Sequence, residues 1–196
     1  MAVHSGSSPP VTIVTGGASG IGAAVAVTLA ERGHRLVVAD LDRVLAEDTA
    51  HRLPGERHLG VACDVRSTPS VDALVRSAAE AFGTVDGVVT CAGMSRLAPS
   101  ADVDDDALHE LLDVHLVGSI RTLRAAYRYL SDSPRAAAVA MSSMGAHLGI
   151  PGRLGYCVAK GGVEAMVKTL AVEWAPTGTA STASRPAGST HPRSAG

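Results

Sequence analysis

Five short apolar runs, each followed by a longer and more mixed segment, set out the plan of this chain. They are Val11-Thr12-Ile13-Val14, Leu36-Val37-Val38-Ala39, Leu59-Gly60-Val61-Ala62-Cys63 and the stretches 85–90 and 136–141. Runs this compact suit strands buried on both faces of a parallel sheet. The segments between them read as helices. One covers 20–32 and is closed by Gly33; a second starts near Asp42; a third covers 69–82, capped by Ser67 and ended by Gly83. A long amphipathic helix over 104–130 opens in the acidic cluster Asp104-Asp105-Asp106, as the positive end of a helix dipole favours. The last helix covers 155–174. Strand and helix alternate throughout, without a hairpin signal or an internal repeat, so the predicted fold is α/β with a doubly wound parallel sheet.

Composition narrows the picture. At 196 residues the chain reads as one domain with a substantial core, which its 3% aromatic content leaves to Val, Leu and Ala. A formal charge of −2, with no block of like charge, gives no footing for nucleic acid or a membrane surface. No apolar run reaches membrane-spanning length, and residues 1–10 read as a short disordered segment rather than a secretory leader. Cys63, Cys91 and Cys157 stand too far apart for a metal-ligand pattern, so reduced thiols in a cytoplasmic protein without a metal are expected.

The most informative stretch follows the first strand: Thr15-Gly16-Gly17-Ala18-Ser19-Gly20-Ile21-Gly22. Glycines let a chain turn tightly and approach a ligand closely. The unpaired N–H groups and positive dipole end of the helix that follows suit a pyrophosphate. The same residues also fit an ordinary strand-to-helix turn, and the next strand helps to decide. Asp40 ends it about two dozen residues after Gly16, where a carboxylate accepts hydrogen bonds from adenosine ribose hydroxyls. The alternative is a solvated strand-end aspartate. With the glycine loop at this distance the ribose role is favoured, and a carboxylate there repels a 2′-phosphate. Ser19 stands in the loop where a basic residue would welcome that phosphate, so NAD is expected in preference to NADP.

Tyr156 and Lys160 lie four apart on the last predicted helix, so both project from one face. An ammonium beside a phenol favours the phenolate, and a tyrosine so placed can exchange a proton with a carbonyl or alcohol oxygen. Ser143, at the end of the fifth strand, can hydrogen-bond the same oxygen. A Tyr and a Lys at this spacing are by default a surface pair; here they complete a nucleotide-binding sheet.

Together these residues resemble the short-chain dehydrogenase/reductase family in its one-domain, Rossmann-like form, over residues 11–176. The stretch from Thr15 to Gly22 is similar to the family's cofactor loop, with Gly16, Ser19, Gly20, Ile21 and Gly22 as its contacts. Asp40, followed by Leu41, matches the NAD-selecting acid, and Asp64-Val65 the pair that contacts the adenine. Cys91-Ala92-Gly93 stands where the family usually has Asn-Ala-Gly. Ser143, Tyr156 and Lys160 match the catalytic Ser, Tyr and Lys, with Ser143 thirteen positions before Tyr156. The resemblance implies hydride transfer between NAD(H) and the carbinol carbon of a secondary alcohol or ketone. Tyr156 would be the general acid/base and Ser143 would polarise the oxygen. Lys160 would bind the nicotinamide ribose and favour the phenolate. A homo-oligomer, tetramer or dimer, built through the long helices is implied as well.

Two departures keep a second reading open, that of a non-catalytic dinucleotide-binding or interaction protein. Cys91 removes a side-chain amide beside the cofactor. His115 stands where the family commonly has an Asn that supports a proton relay. It either continues that relay in altered form or is a structural histidine on a half-buried helix. The loop from Met144 to Pro151 is largely apolar, which points to a hydrophobic or ring-shaped substrate.

After Ala175-Pro176 the chain changes character. Residues 177–196 contain no Val, Ile, Leu, Phe, Tyr or Trp and read as a disordered, non-native tail. The resemblance implies instead a sixth strand, a Pro-Gly turn, a helix and a seventh strand. Restoring one base near the codon for Pro176 lets the codons of 176–192 read Pro-His-Gly-His-Arg-Val-Asn-Ser-Val-Ala-Pro-Gly-Trp-Val-Asp-Thr-Pro. That is close to the family's sixth strand and turn, so a single-base deletion in the gene or its reading is expected. As written, the chain is expected to keep about five strands, to lack the last ones, and to be poorly stable and weakly active.

Overall fold

The structure, a computed structural model, describes residues 8–184. Six parallel strands form a sheet in the order β3-β2-β1-β4-β5-β6. They are β1 (Val11–Thr15), β2 (Arg35–Asp40), β3 (Leu59–Ala62), β4 (Gly87–Thr90), β5 (Ala137–Met141) and β6 (Ala180–Ser184). The helices are α1 (Gly20–Glu31), α2 (Arg43–Arg52), α3 (Thr68–Phe82), α4 (Asp105–Leu112), α5 (Gly118–Leu130) and α6 (Leu154–Trp174). Strand alternation decides which helix meets which side chain. Ile13, Val37 and Val88 join a core with Leu74 of α3 and Leu123 and Leu130 of α5. Val14, Val38 and Val89 turn the other way, onto the small Ala26 and Ala30 of α1 and Ala46 of α2. Among the described residues no helix is long and apolar enough to cross a membrane.

Strand order reverses between β1 and β4, and in such sheets the crevice at the C-terminal strand ends there is the place for a ligand. The opposite end of this junction is closed by Asp86, only 4% exposed. Its Oδ2 accepts from the Val11 N–H (2.8 Å) and its Oδ1 from the Ser133 hydroxyl (2.6 Å). The Arg135 guanidinium lies 3.7 Å from Oδ2 and also donates to the Ser8 carbonyl. With Arg35 donating to the Pro10 carbonyl, residues 8–10 are held against the sheet, which corrects the expectation of disorder for that part of 1–10. Residues 1–7 lie outside the described residues.

The helix expected over 104–130 is divided. A π-turn, Asp113–Val117, joins α4 to α5, and the Gly118 N–H reaches back to the Asp113 carbonyl. The Arg121 guanidinium bonds the Asp113 carboxylate at 2.6 Å across the turn. A wider turn re-aims the side chains it carries, and among them is His115, which is buried.

The largest correction concerns the tail. Residues 180–184, expected to be disordered, form β6, which pairs in parallel with β5 from Ala137↔Ala180 to Met141↔Ser184. Ladder bonds are made by the backbone and need no apolar side chain. Ala183 adds a small contact with the cluster of Ala140, Val163 and Val167 at α6. Polar composition leaves its mark at Ser181, which alternation puts on the same side as Ala183 and whose Oγ is buried without a hydrogen-bond partner among the described residues. On the other side of the strand Ala180, Thr182 and Ser184 are exposed. The remainder of the expected tail, 185–196, lies outside the described residues.

Candidate active site

A cavity of about 780 Å³ opens at the C-terminal strand ends, across the junction of β1 and β4. Every candidate catalytic and cofactor-contact residue named from the sequence lines it except Ser143. At one end lies the glycine loop. Gly16 has φ +62°, and a Cβ there would meet the Ala92 backbone at 2.7 Å. Only glycine therefore lets the loop after β1 lie against the loop after β4. Gly20, at φ +51°, opens α1 and has nothing within 4 Å of the place its Cβ would take. Ser19 is the N-cap of α1, yet its hydroxyl makes no capping bond and the first turn holds no acid. Helix N–H groups, a free hydroxyl and open space thus converge on one point, the donor set an oxyanion such as pyrophosphate needs.

Asp40 ties this end together. Its Oδ2 accepts from the Ala18 N–H at 3.2 Å, and its carbonyl accepts from the Cys63 N–H at 2.7 Å. Farther along, Asp64 receives both the backbone N–H and the guanidinium of Arg66, at 2.9 Å each. These bonds hold its carboxyl below the usual carboxylate range. Glu110 then accepts from Arg66 and Arg96 together, linking the loop after β4 to α4.

At the other end stand Tyr156, Lys160 and His115. Lys160 is 5% exposed, donates to the Met141 carbonyl at 2.6 Å and places its Nζ 5.7 Å from the Tyr156 ring centroid. Burial lowers its pKa to about 8, opposed by Cys91. His115 meets Tyr156 edge-on, with centroids 5.3 Å apart and planes at 86°. Its Nε2 lies 2.8 Å from the Met94 carbonyl and 3.2 Å from the Met94 N–H. The ring sits so close to Gly93 that a Cβ there would come within 2.5 Å of His115 Cε1. Burial, with the Lys160 charge, pushes the imidazole down to about 4, against the pull of the Met94 bond, so it is neutral at pH 7. Its Nδ1 is buried with no hydrogen-bond partner among the described residues. Cys91 is pushed up to about 11 by burial, with Lys160 acting in the opposite sense, and stays a thiol.

Ser143 is placed differently. It caps the short 3-10 turn Met144–Ala146, and its Oγ accepts from the Gly145 N–H at 3.1 Å. Its neighbour Ser142 lines the cavity instead and donates to Glu164 at 3.0 Å. Arg66, Met94, Ser95, Glu110 and Arg153, which no sequence motif marks, line the same cavity. The signal for most of them was position: Arg66 directly follows Asp64-Val65, Met94 and Ser95 directly follow Gly93, and Arg153 stands three residues before Tyr156.

The chain's likeness to known proteins agrees with this geometry. The family model for short chain dehydrogenases matches residues 10–191. The chain is similar to D-threitol dehydrogenase of Mycolicibacterium smegmatis, 37% identical over 166 residues that make up 84% of this chain and 64% of that one. It is likewise similar to cis-4-hydroxycyclohexanecarboxylate dehydrogenase of Sinomonas cyclohexanicum, 37% identical over 86% of this chain and 68% of that protein. It thus spans about two thirds of the length of these curated relatives. A crystal structure of a short chain dehydrogenase from Mycobacterium smegmatis superposes with a TM-score of 0.87 at 29% identity, covering 95% of this chain and 78% of that one. The sequence match, the six-stranded sheet and the glycine-lined crevice converge on one assignment: this chain belongs to the short-chain dehydrogenase family.

Proposed function

We propose that the chain binds NAD(H) and supports hydride transfer between it and a secondary alcohol or ketone, with Tyr156 as general acid/base. The observation that carries this reading is one cavity with an oxyanion cradle and Asp40 at one end and Tyr156, Lys160 and His115 at the other. A bound nicotinamide supplies the hydride acceptor or donor; the rest is done by the chain. Gly20 and Ser19 would hold the pyrophosphate, and Asp40 would take the ribose hydroxyls. Asp40 also disfavours a 2′-phosphate, while the nearby Arg43 is engaged with Glu47 at 2.8 Å, so NAD is the preferred partner.

In the oxidative direction the substrate hydroxyl gives its proton to Tyr156 as the carbinol hydrogen leaves. The Lys160 ammonium stabilises the phenolate that takes this proton, and would donate to the ribose of a bound cofactor. His115, neutral and fixed by Met94, offers its unpartnered Nδ1 as the next acceptor in a relay through water. Ser143 keeps its hydroxyl proton while accepting from Gly145, and a side-chain rotation brings it to the substrate oxygen.

Ser143 on its own loop and Cys91 in the floor favour a second reading, a dinucleotide binder without turnover. Tyr156→Phe separates the two. Turnover of a secondary alcohol with NAD should fall by roughly 10²- to 10⁴-fold, while NADH binding, read by its fluorescence, stays within about twofold. A wild-type chain that binds NADH and turns over no alcohol or ketone supports the second reading.

A further inference from the structure

Three arginines bear on the cavity: Arg66 and Arg153 line it, and Arg96 pairs with the lining residue Glu110. Two of them are neutralised. Arg66 pairs with Asp64 and Glu110, and Arg96 pairs with Glu110. Arg153 has no carboxylate partner among the described residues. Its guanidinium donates to the Ser95 hydroxyl at 3.2 Å and lies 5.8 Å from the centre of the Tyr156 ring. Both Arg153 and Ser95 line the cavity. The chain here is well fixed, since the Ala98 N–H bonds the Gly152 carbonyl at 3.1 Å and the Arg153 N–H bonds the Ile150 carbonyl. The guanidinium therefore projects from an anchored loop beside the proton-transfer residue.

Around it the surface is apolar. Leu97, Met144, Leu148 and Leu154, on the loops after β4 and β5 and at the start of α6, are all more than 40% exposed. Lys160, the other cation at this end, is committed to the Met141 carbonyl and is almost wholly buried. An uncompensated, planar, five-donor cation set in an apolar rim is the recognition chemistry for a carboxylate. We infer that the alcohol or ketone taken by this site carries a carboxylate a few bonds from its carbinol carbon, attached to an apolar body, and that Arg153 binds this carboxylate. This rests on the hydroxyl-oxidising reading of the Tyr156 site. The placement beside Tyr156 would orient the substrate so that its hydroxyl, and not its acid, faces the phenol.

The test is calorimetric, so it does not depend on turnover. The full chain, with and without saturating NADH, is titrated with 3-oxo-3-phenylpropanoate and with its methyl ester, which keeps the shape and removes the charge. The acid should bind roughly ten- to a hundredfold more tightly than the ester, the range expected for a charge-assisted hydrogen-bonded pair. In Arg153→Met that preference should vanish, and in Arg153→Lys part of it should remain, with NADH affinity unchanged in both. Equal binding of acid and ester to the wild-type chain overturns the inference without requiring any variant to fold. Retention of the full preference in Arg153→Met also overturns it and leaves Arg153 as a strap to Ser95. The two levels separate cleanly. A chain that binds NADH but shows no acid preference loses the carboxylate assignment and keeps the dinucleotide reading; one that prefers the acid but does not bind NADH does the reverse.

Discussion

The imidazole of His115 stands edge-on against the Tyr156 ring, 5.3 Å away between centroids, and does so from inside a π-turn. Burial, with the Lys160 charge acting in the same sense, keeps His115 neutral, with its pKa down at about 4. Its ordinary value is 6.5, so between these two values the unfolded chain binds the proton that the folded chain refuses. Stability contributed by this group is complete above about pH 6.5 and is lost as pH falls toward 4, a total on the order of 3 kcal/mol. Urea melts of the wild-type chain and of His115→Asn across this window should show the acid-side loss reduced in the variant. Parallel pH profiles for the two proteins would contradict the burial argument.

Cys91 should be chemically quiet. Its pKa is pushed up to about 11 by burial, and the thiolate is the reactive form. Iodoacetamide at pH 8, followed by peptide mass spectrometry, should leave Cys91 unmodified in the folded chain and label it fully in urea. Rapid labelling without denaturant would mean that the floor of the cavity opens readily.

Asp86 is the buried acceptor for two partners that are distant in sequence, Val11 and Ser133. Asp86→Ala strands the Val11 N–H and the Ser133 hydroxyl at the start of the central strands. The expected loss is about 3 kcal/mol, from hydrogen bonds to a charged group, read as a lower urea midpoint. Asp86→Asn, which keeps one acceptor oxygen, should lose less.

Ser181 offers the opposite test. Its buried hydroxyl has no partner among the described residues, and valine, which the restored reading frame places at this position, removes the unpaired group and suits a strand. Ser181→Val should raise stability by about 1 kcal/mol. A destabilised variant would show that the hydroxyl has a partner in solution or that the space beneath α6 is too tight.

The turn from β1 into α1 and the strand-end position of Asp40 were readable because each depends on local spacing: a short apolar run, a glycine cluster, a helix start. Tyr156 and Lys160 were placed on one helix face for the same reason. The π-turn at His115 was not readable, since a single extra residue leaves the amphipathic pattern of 104–130 almost undisturbed. Nor was β6, whose pairing is carried by backbone bonds that composition does not report. The hydroxyl of Ser143 is taken up by the Gly145 N–H of its own turn, which no spacing encodes. Arg153 looked like any loop arginine; only the fold shows that Asp64 and Glu110 are spent on Arg66 and Arg96 and that no carboxylate among the described residues pairs with it.

The seam between β1 and β4 also has a meaning in time. Everything on its N-terminal side, from the glycine loop to Asp64, exists once residue 65 has been added to the growing chain, whereas Tyr156 follows about ninety residues later. Until β4 arrives, β1 has only β2 beside it, and the crevice has one wall. On the proposed reading, the ribosome therefore delivers the half that grips a dinucleotide well before the half that can use it, and order of translation alone keeps a partly made chain from doing chemistry.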